Sequence, residues 1–432
     1  MRRDRWLLAS LVVGLVLRAF PFIFWWDVPC TRDECSYLQL AHRMAAGEGM
    51  TADTFIPYVW APGYVTFLAA HEVLSGWADV GLVTQVVGFG VAQVLVYLLA
   101  RDHLDLRAGR IAAWLYALSP TLAFFAGHLW TESIYLTLLL GTLYTIGLAR
   151  DRSWRWALLA GLLIGLSVLL RGVATYLLPI FMLAFVPRRQ WRQAGAMALV
   201  AILTVAPYSI YASKKFGGVV ITDTTLGHNL WLSNNDFPLI TWDHGLSQST
   251  AEFRRITATG RPMCDIELPR TEWADCQRDT ALGWIRDNPA EFLRRIPQRE
   301  AFLFNPNSFL TRKVRAGRYK GLPAPVAEFL CLGTIGFSLL TVWGGSVGAF
   351  ARGRSWLFPI TLLIVLYHCA VVAVLLGTTR FRVPLDGLWL IWTAGFLAAP
   401  GSAIRGWRLA ALLVTLALAI PLTLWYLPVG LQ

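Results

Sequence analysis

The stretch Thr31-Arg32-Asp33-Glu34 places two carboxylates at what reads as a capping box. Thr31 is the N-cap and Glu34 the reciprocal acid of a helix that runs to about Ala46 and stops at Gly47-Glu48-Gly49. Asp33 then falls in the first turn, where the positive end of the helix dipole favours an ionised carboxylate. A fixed, ionised carboxylate can act as a general base. The same spacing also suits two first-turn acids on a surface helix. Glu132, after Trp130-Thr131, is another acid at the start of an apolar run, a carboxylate at a helix N-terminus that Thr131 can cap. Arg171, Arg380 and Arg382 stand at the ends of such runs. There a guanidinium either reaches lipid headgroups or stabilises charge building on a departing phosphate.

Further candidates lie between residues 213 and 322. His228 and His244, with Asp223, Asp236 or Asp243, could hold a divalent ion, although their spacing is no recognised ligand pattern and equally fits solvated loop histidines. Asn234-Asn235 reads as a turn able to hydrogen-bond sugar hydroxyls. The basic run from Arg312 to Lys320 suits a phosphate, an anionic lipopolysaccharide acceptor or simply a charged surface.

The elements that must position these groups are membrane spans. Of the 432 residues, 56% are hydrophobic and only 15% charged, and mean hydropathy is +0.53. A charged fraction so far below the ~25% usual in soluble domains excludes an ordinary soluble enzyme, a coiled coil and a disordered chain. The net charge of +12 would suggest nucleic acid if it formed a patch, but the arginines fall in short clusters between apolar runs. We read about eleven spans of bilayer-crossing length, near 6–26, 79–100, 111–127, 132–149, 156–170, 172–186, 194–212, 324–350, 356–376, 384–400 and 409–428. The pairs 111–149 and 156–186 are alternatively hairpins that do not cross fully. The positive-inside rule puts the N-terminus in the cytoplasm and residues 27–78 and 213–322 outside, in a multi-pass protein of the plasma (inner) membrane. The expected architecture is all-α and polytopic, with the active site in extracytoplasmic loops. It divides into a transmembrane module 1–212, a large loop 213–322 that caps the cavity, and C-terminal helices 323–432. That loop is expected to carry helices at Thr271 to Asn288 and at Pro289 to Phe304.

Four of the six cysteines fall in the outer loops. Cys30 with Cys35, and Cys264 with Cys276, are candidates for local disulfides on the oxidising side, the alternative being free thiols.

The run Asp33-Glu34-Cys35-Ser36-Tyr37, just after the first span, resembles the Asp-Glu-x-x-Tyr start of the C-type (GT-C) membrane glycosyltransferases. The branch in question holds the protein O-mannosyltransferases, the lipid A aminoarabinose transferases and related lipopolysaccharide glycosyltransferases. Further segments fit in the same order: Tyr58-Val59-Trp60-Ala61-Pro62, Trp130-Thr131-Glu132, Leu170-Arg171-Gly172, the run from Gly227 to Asn235, and Thr379-Arg380-Phe381-Arg382-Val383-Pro384. The resemblance implies that Asp33 is catalytic, that Glu132 helps position the acceptor, and that Tyr37 and Tyr58 lie near the donor phosphate. One departure concerns the aminoarabinose transferases, which carry Tyr-Phe-Glu-Lys-Pro over 58–62. Trp60 and Ala61 replace their metal-binding carboxylate and phosphate-binding lysine, which puts a metal site and that substrate in doubt.

Nucleotide sugars are cytosolic, so an outward-facing transferase needs a donor that crosses the membrane, such as a polyprenyl-phosphate sugar. The acceptor would be a lipid such as lipid A or its core, a glycan, or a protein hydroxyl. Two other classes fit many spans with few intramembrane charges. A secondary transporter usually shows internal repeats and midplane breaks, which are not evident here. A surface polysaccharide polymerase or ligase shares the outer arginines but does not need Asp-Glu after the first span.

Overall fold

The computed structural model describes residues 4–24, 30, 33–50, 59–236, 264–265, 268–319, 322–401 and 406–425. Among them the regular structure is helical throughout. The first half comprises α1 (Arg5–Phe24), α2 (Asp33–Ala45), α3 (Pro62–Ser75), α4 (Gly81–His103), α5 (Leu106–Leu118), α6 (Pro120–Ala126), α7 (Glu132–Asp151), α8 (Trp156–Leu170), α9 (Leu177–Leu183) and α10 (Trp191–Phe216). Between the membrane-embedded halves lie α11 (Thr225–Ser233), α12 (Arg270–Asp287), α13 (Pro289–Phe304) and α14 (Phe309–Arg315). The chain then forms α15 (Ala324–Leu339), α16 (Gly345–Arg352), α17 (Leu357–Val374), α18 (Val383–Ala398) and α19 (Trp407–Leu424).

Six helical stretches among the described residues are long and apolar enough to cross a bilayer: Ala78–His103, Glu132–Asp151, Trp191–Phe216, Ala324–Arg352, Leu357–Val374 and Trp407–Leu424. This is a multi-pass membrane protein. Lipid accounts for the large exposed apolar side chains along α10 and α19, such as Leu199, Ile202, Leu203, Leu413 and Leu418, which water would not tolerate in such rows.

The expected span 111–127 is instead two helices, broken where Ser119 caps α6 and Pro120 occupies its first position. The break frees carbonyls at the end of α5, and α1 supplies their partner. The buried Arg18 guanidinium donates to Tyr116 O (2.8 Å) and Ala117 O (3.3 Å). The stretch 172–186 opens as a 3₁₀ turn, Gly172–Tyr176, before the seven residues of α9, too short to cross alone. The segment 324–350 is one continuous rod in which a π-helical turn, Leu340–Gly344, joins α15 to α16. α18 is buried on nearly every side, packed against α4, α5, α7 and α16, and is the axis of the bundle rather than a lipid-facing span.

Residues 62–75, expected as loop, form α3. Its buried face, Tyr64, Val65, Leu68 and Ala69, packs on Tyr37, Leu40 and Ala41 of α2. α2 itself ends as expected at Gly47, whose φ of 82° is easy for glycine. Thr31, the expected N-cap, and Arg32 lie outside the described residues. The expected helices 271–288 and 289–304 are α12 and α13, displaced by no more than a residue.

Candidate active site

Four helix ends converge. Asp33 and Glu132 are the first residues of α2 and α7, Arg171 follows the last residue of α8, and Arg380 lies in the 3₁₀ turn Thr379–Arg382 that leads into α18. Arg380 donates from Nη1 to Asp33 Oδ2 and from Nε to Glu132 Oε1, both at 2.5 Å. Arg171 Nη1 reaches the same Glu132 oxygen at 2.5 Å and Thr131 Oγ1 at 3.3 Å. The result is one chain of alternating charge, Asp33–Arg380–Glu132–Arg171. Each carboxylate sits at a helix N-terminus, where the dipole and free N–H groups add to its stabilisation. Burial is graded along the chain: the Glu132 side chain is 0% exposed and Arg380 13%, whereas Asp33 is 39% exposed. Asp33 is therefore the end that a substrate can reach.

Burial disfavours the charged form of Arg380, but the Glu132 and Asp33 carboxylates outweigh it and hold its pKa well above the ordinary value. Its guanidinium lies 4.9 Å from the Trp130 ring centroid. Arg171 is steadied from the large loop, because the next residue, Gly172, donates its N–H to Asp223 Oδ2 at 3.0 Å. Asp223 Oδ1 in turn accepts from the Thr225 N–H and hydroxyl at the start of α11.

The neighbouring acid turns away from this chain. Glu34 Oε1 lies 2.8 Å from His128 Nδ1 and accepts from the Leu129 N–H at 3.2 Å. His128 Nε2 meets the Tyr319 hydroxyl at 3.1 Å, and the imidazole stacks on Trp130 at 4.7 Å. Burial holds the His128 pKa below its ordinary value in spite of Glu34. A neutral ring fits these contacts if Nδ1 donates to Glu34 and Nε2 accepts from Tyr319. Glu34 thus clamps α2 to the turn before α7 and fixes Asp33 relative to Glu132. The sequence reading did not single out His128 or Tyr319. Their only signal was proximity to Trp130 and to the basic run.

Tyr37 is buried in edge contact with Trp60 (5.1 Å) and Tyr64 (4.9 Å), and burial pushes its phenol pKa up. Tyr64 donates to Gln85 Oε1 at 2.6 Å, and Gln85 donates to His128 O at 3.1 Å, so these aromatics back the turn that carries Trp130. Tyr58 lies outside the described residues.

Other candidates stand apart. Arg382 is buried and donates to Asp386 Oδ1 (3.1 Å), Asn305 O (2.9 Å) and Ser338 Oγ (3.0 Å), tying α18 to α15 and the end of α13. His228 Nδ1 donates to Gln277 Oε1 (2.8 Å), its ring stacks on Trp273, and burial lowers its pKa to about 4. Asn234 donates to Leu230 O and Val374 O and accepts from Arg299, while Asn235 donates to Trp231 O. Both side chains are used in holding the loop's fold, and Asn234 also ties it to the end of α17. Among the described residues no three His, Cys, Asp or Glu side chains group as metal ligands. Asp223 holds the Gly172 turn and Asp236 accepts from Trp284 Nε1, while Asp243 and His244 lie outside the described residues. Cys30 is bonded to Cys35, and Cys264 to Cys276.

Residues 57–211 match the family described as Dolichyl-phosphate-mannose-protein mannosyltransferase. The matched stretch contains Glu132 and Arg171. No curated protein matches the chain in sequence. Two solved structures of the Archaeoglobus fulgidus oligosaccharyltransferase share its fold. The one tethered to an acceptor peptide with the NVT sequon has a TM-score of 0.53 at 16% identity, over 97% of this chain and 54% of that one. The apo form gives 0.52 at 15% identity, over 97% and 56%. The chain thus spans about half the length of those proteins. ArnT from Cupriavidus metallidurans bound to undecaprenyl phosphate overlaps 92% of this chain and 79% of its own at 12% identity, with a TM-score of 0.43. The C-type glycosyltransferase resemblance read from the motifs is borne out by the family match and by this fold.

Proposed function

We propose that the chain is an integral membrane glycosyltransferase of inverting type, which moves a sugar from a polyprenyl-phosphate donor to a hydroxyl on the outer face of the membrane. The observation that carries the reading is the charge chain with Asp33 at its accessible end. Asp33 takes the proton of the acceptor hydroxyl, whose oxygen bonds to the anomeric carbon as the bond from that carbon to the phosphate oxygen breaks. The electron pair leaves with the polyprenyl phosphate, and the proton passes from Asp33 to solvent. One displacement inverts the anomeric centre. Glu132, closed to solvent between two arginines, keeps Arg380 beside Asp33 and so positions the base without touching substrate.

Support comes from the family matched over 57–211, named for a dolichyl-phosphate-mannose donor, and from the fold shared with an oligosaccharyltransferase. Lipid A or its core, a surface glycan and a protein hydroxyl are the acceptor classes. The test is mass spectrometry of surface glycolipids and envelope glycoproteins from cells with the wild-type protein, with Asp33→Asn, and with the gene removed. One sugar mass missing alike from the last two supports the reading and identifies the acceptor. Unchanged glycoconjugates with a lost solute flux would replace it with a transporter.

A further inference from the structure

The arginines that the sequence offers for a lipid phosphate are already engaged by protein groups: Arg171 and Arg380 by Glu132 and Asp33, and Arg382 by Asp386. α14 brings a different cation to the same place. Lys313 Nζ lies 4.7 Å from the Trp130 ring centroid and 5.8 Å from that of Phe124. Trp130 is the ring that also carries Arg380. The ammonium is closed to solvent and has no hydrogen-bond partner among the described residues. A buried ammonium without an acceptor is costly, and the ring faces beside it offset only part of that cost. Burial lowers the Lys313 pKa to about 8; Glu34 opposes the shift, while Arg318, Arg380 and Arg312 add to it. These four are the charged groups that act on it most strongly among the described residues. Glu34, the anion among them, does not offset burial, and its Oε1 is already taken by His128 and the Leu129 N–H.

We propose that Lys313 binds the phosphate of the polyprenyl donor and stabilises the charge that develops on it as the glycosidic bond breaks. The assignment rests on the transferase reading above. It places the phosphate between Lys313 and Arg380, one guanidinium away from Asp33, so that the base and the leaving group share a single rigid support. Lys313 donates up to three hydrogen bonds to phosphate oxygens and recovers what burial withholds from it.

The test uses the full-length protein in nanodiscs with three probes: a polyprenyl phosphate, the matching polyprenol, and phosphatidylglycerol. Lys313→Met keeps the apolar stem over the rings and removes the charge, and Lys313→Arg restores the charge. The expected result is a polyprenyl phosphate Kd about 10- to 100-fold weaker in Lys313→Met. Polyprenol and phosphatidylglycerol binding should be unchanged, and Lys313→Arg should recover most of the loss. Wild-type affinity should also fall as pH rises through about 8, and Lys313→Arg should not show this fall. A lysine that merely packs on Trp130 would lower the Tm of Lys313→Met without this pH dependence. Unchanged polyprenyl phosphate binding in Lys313→Met, or a loss shared with phosphatidylglycerol, overturns the assignment while leaving the transferase reading in place. A wild-type protein that does not bind polyprenyl phosphate overturns both.

Discussion

Replacing Glu132 with Gln tests whether the buried charge chain is the keystone of the site. The carboxylate is 0% exposed, and one of its oxygens accepts from both Arg171 and Arg380 at 2.5 Å. Solvent screening is therefore small, and neutralising it leaves two guanidiniums facing each other with Asp33 as their remaining carboxylate partner among the described residues. Removing one partner of a buried ion pair typically costs about 3–5 kcal/mol, and that is the expected loss for Glu132→Gln. Arg171→Met should cost less, because Glu132 keeps Arg380. The double variant should be less destabilised than the sum of the two, with a coupling of about 1–3 kcal/mol. The control is Asp275→Asn, which breaks the exposed Arg278–Asp275 pair and should cost about 0–1 kcal/mol. The assay is thermal unfolding in one detergent, read as Tm across the four variants. A Glu132→Gln Tm indistinguishable from that of Asp275→Asn, or strict additivity with Arg171→Met, would refute the reasoning.

Two further expectations concern pH. His228 has its pKa lowered from 6.5 to about 4 by burial, so the fold prefers the neutral ring. That stability is complete above about pH 6.5 and is lost as pH falls toward 4, amounting to about 3 kcal/mol. His228→Gln should flatten the decline in Tm between pH 7 and pH 4, and an unchanged slope would count against it. Glu300 behaves in the opposite sense. Burial raises its pKa from 4.5 to about 7, so its neutral form belongs to the fold, and the contribution is full below about pH 4.5 and lost as pH rises toward 7. Glu300→Gln should therefore raise Tm at pH 8 and leave it nearly unchanged at pH 4, and equal effects at both would exclude this origin.

Local signals in the sequence located most elements near the site. Glycine at 47 marked the end of α2, and proline at 289 the start of α13, because both residues restrict the backbone wherever they stand. Asp33, Glu132, Arg171 and Arg380 were each visible as a charge at the end of an apolar run. Their assembly into one hydrogen-bonded chain was not, since Asp33 and Arg380 are 347 residues apart and meet only in the folded chain. α3 escaped notice because its buried face meets another surface helix rather than lipid, and Pro62 looked like a loop residue. Arg18 was hidden within an apolar run, its role set by a proline-induced break in a different helix. Lys313 read as one more basic residue in a charged stretch. Only burial over Trp130 separates it from its neighbours.

The most direct measurement is release of polyprenyl phosphate from a labelled polyprenyl-phosphate sugar by the purified protein with an acceptor and no ion gradient, wild type against Asp33→Asn. The expected result is sugar transferred with inverted anomeric configuration by the wild type. Asp33→Asn should be slower by about 10²–10⁴-fold while its Tm stays near that of the wild type. Near-normal transfer by Asp33→Asn, or no turnover by a folded wild-type protein that binds the donor, would contradict the assignment of Asp33 as the base.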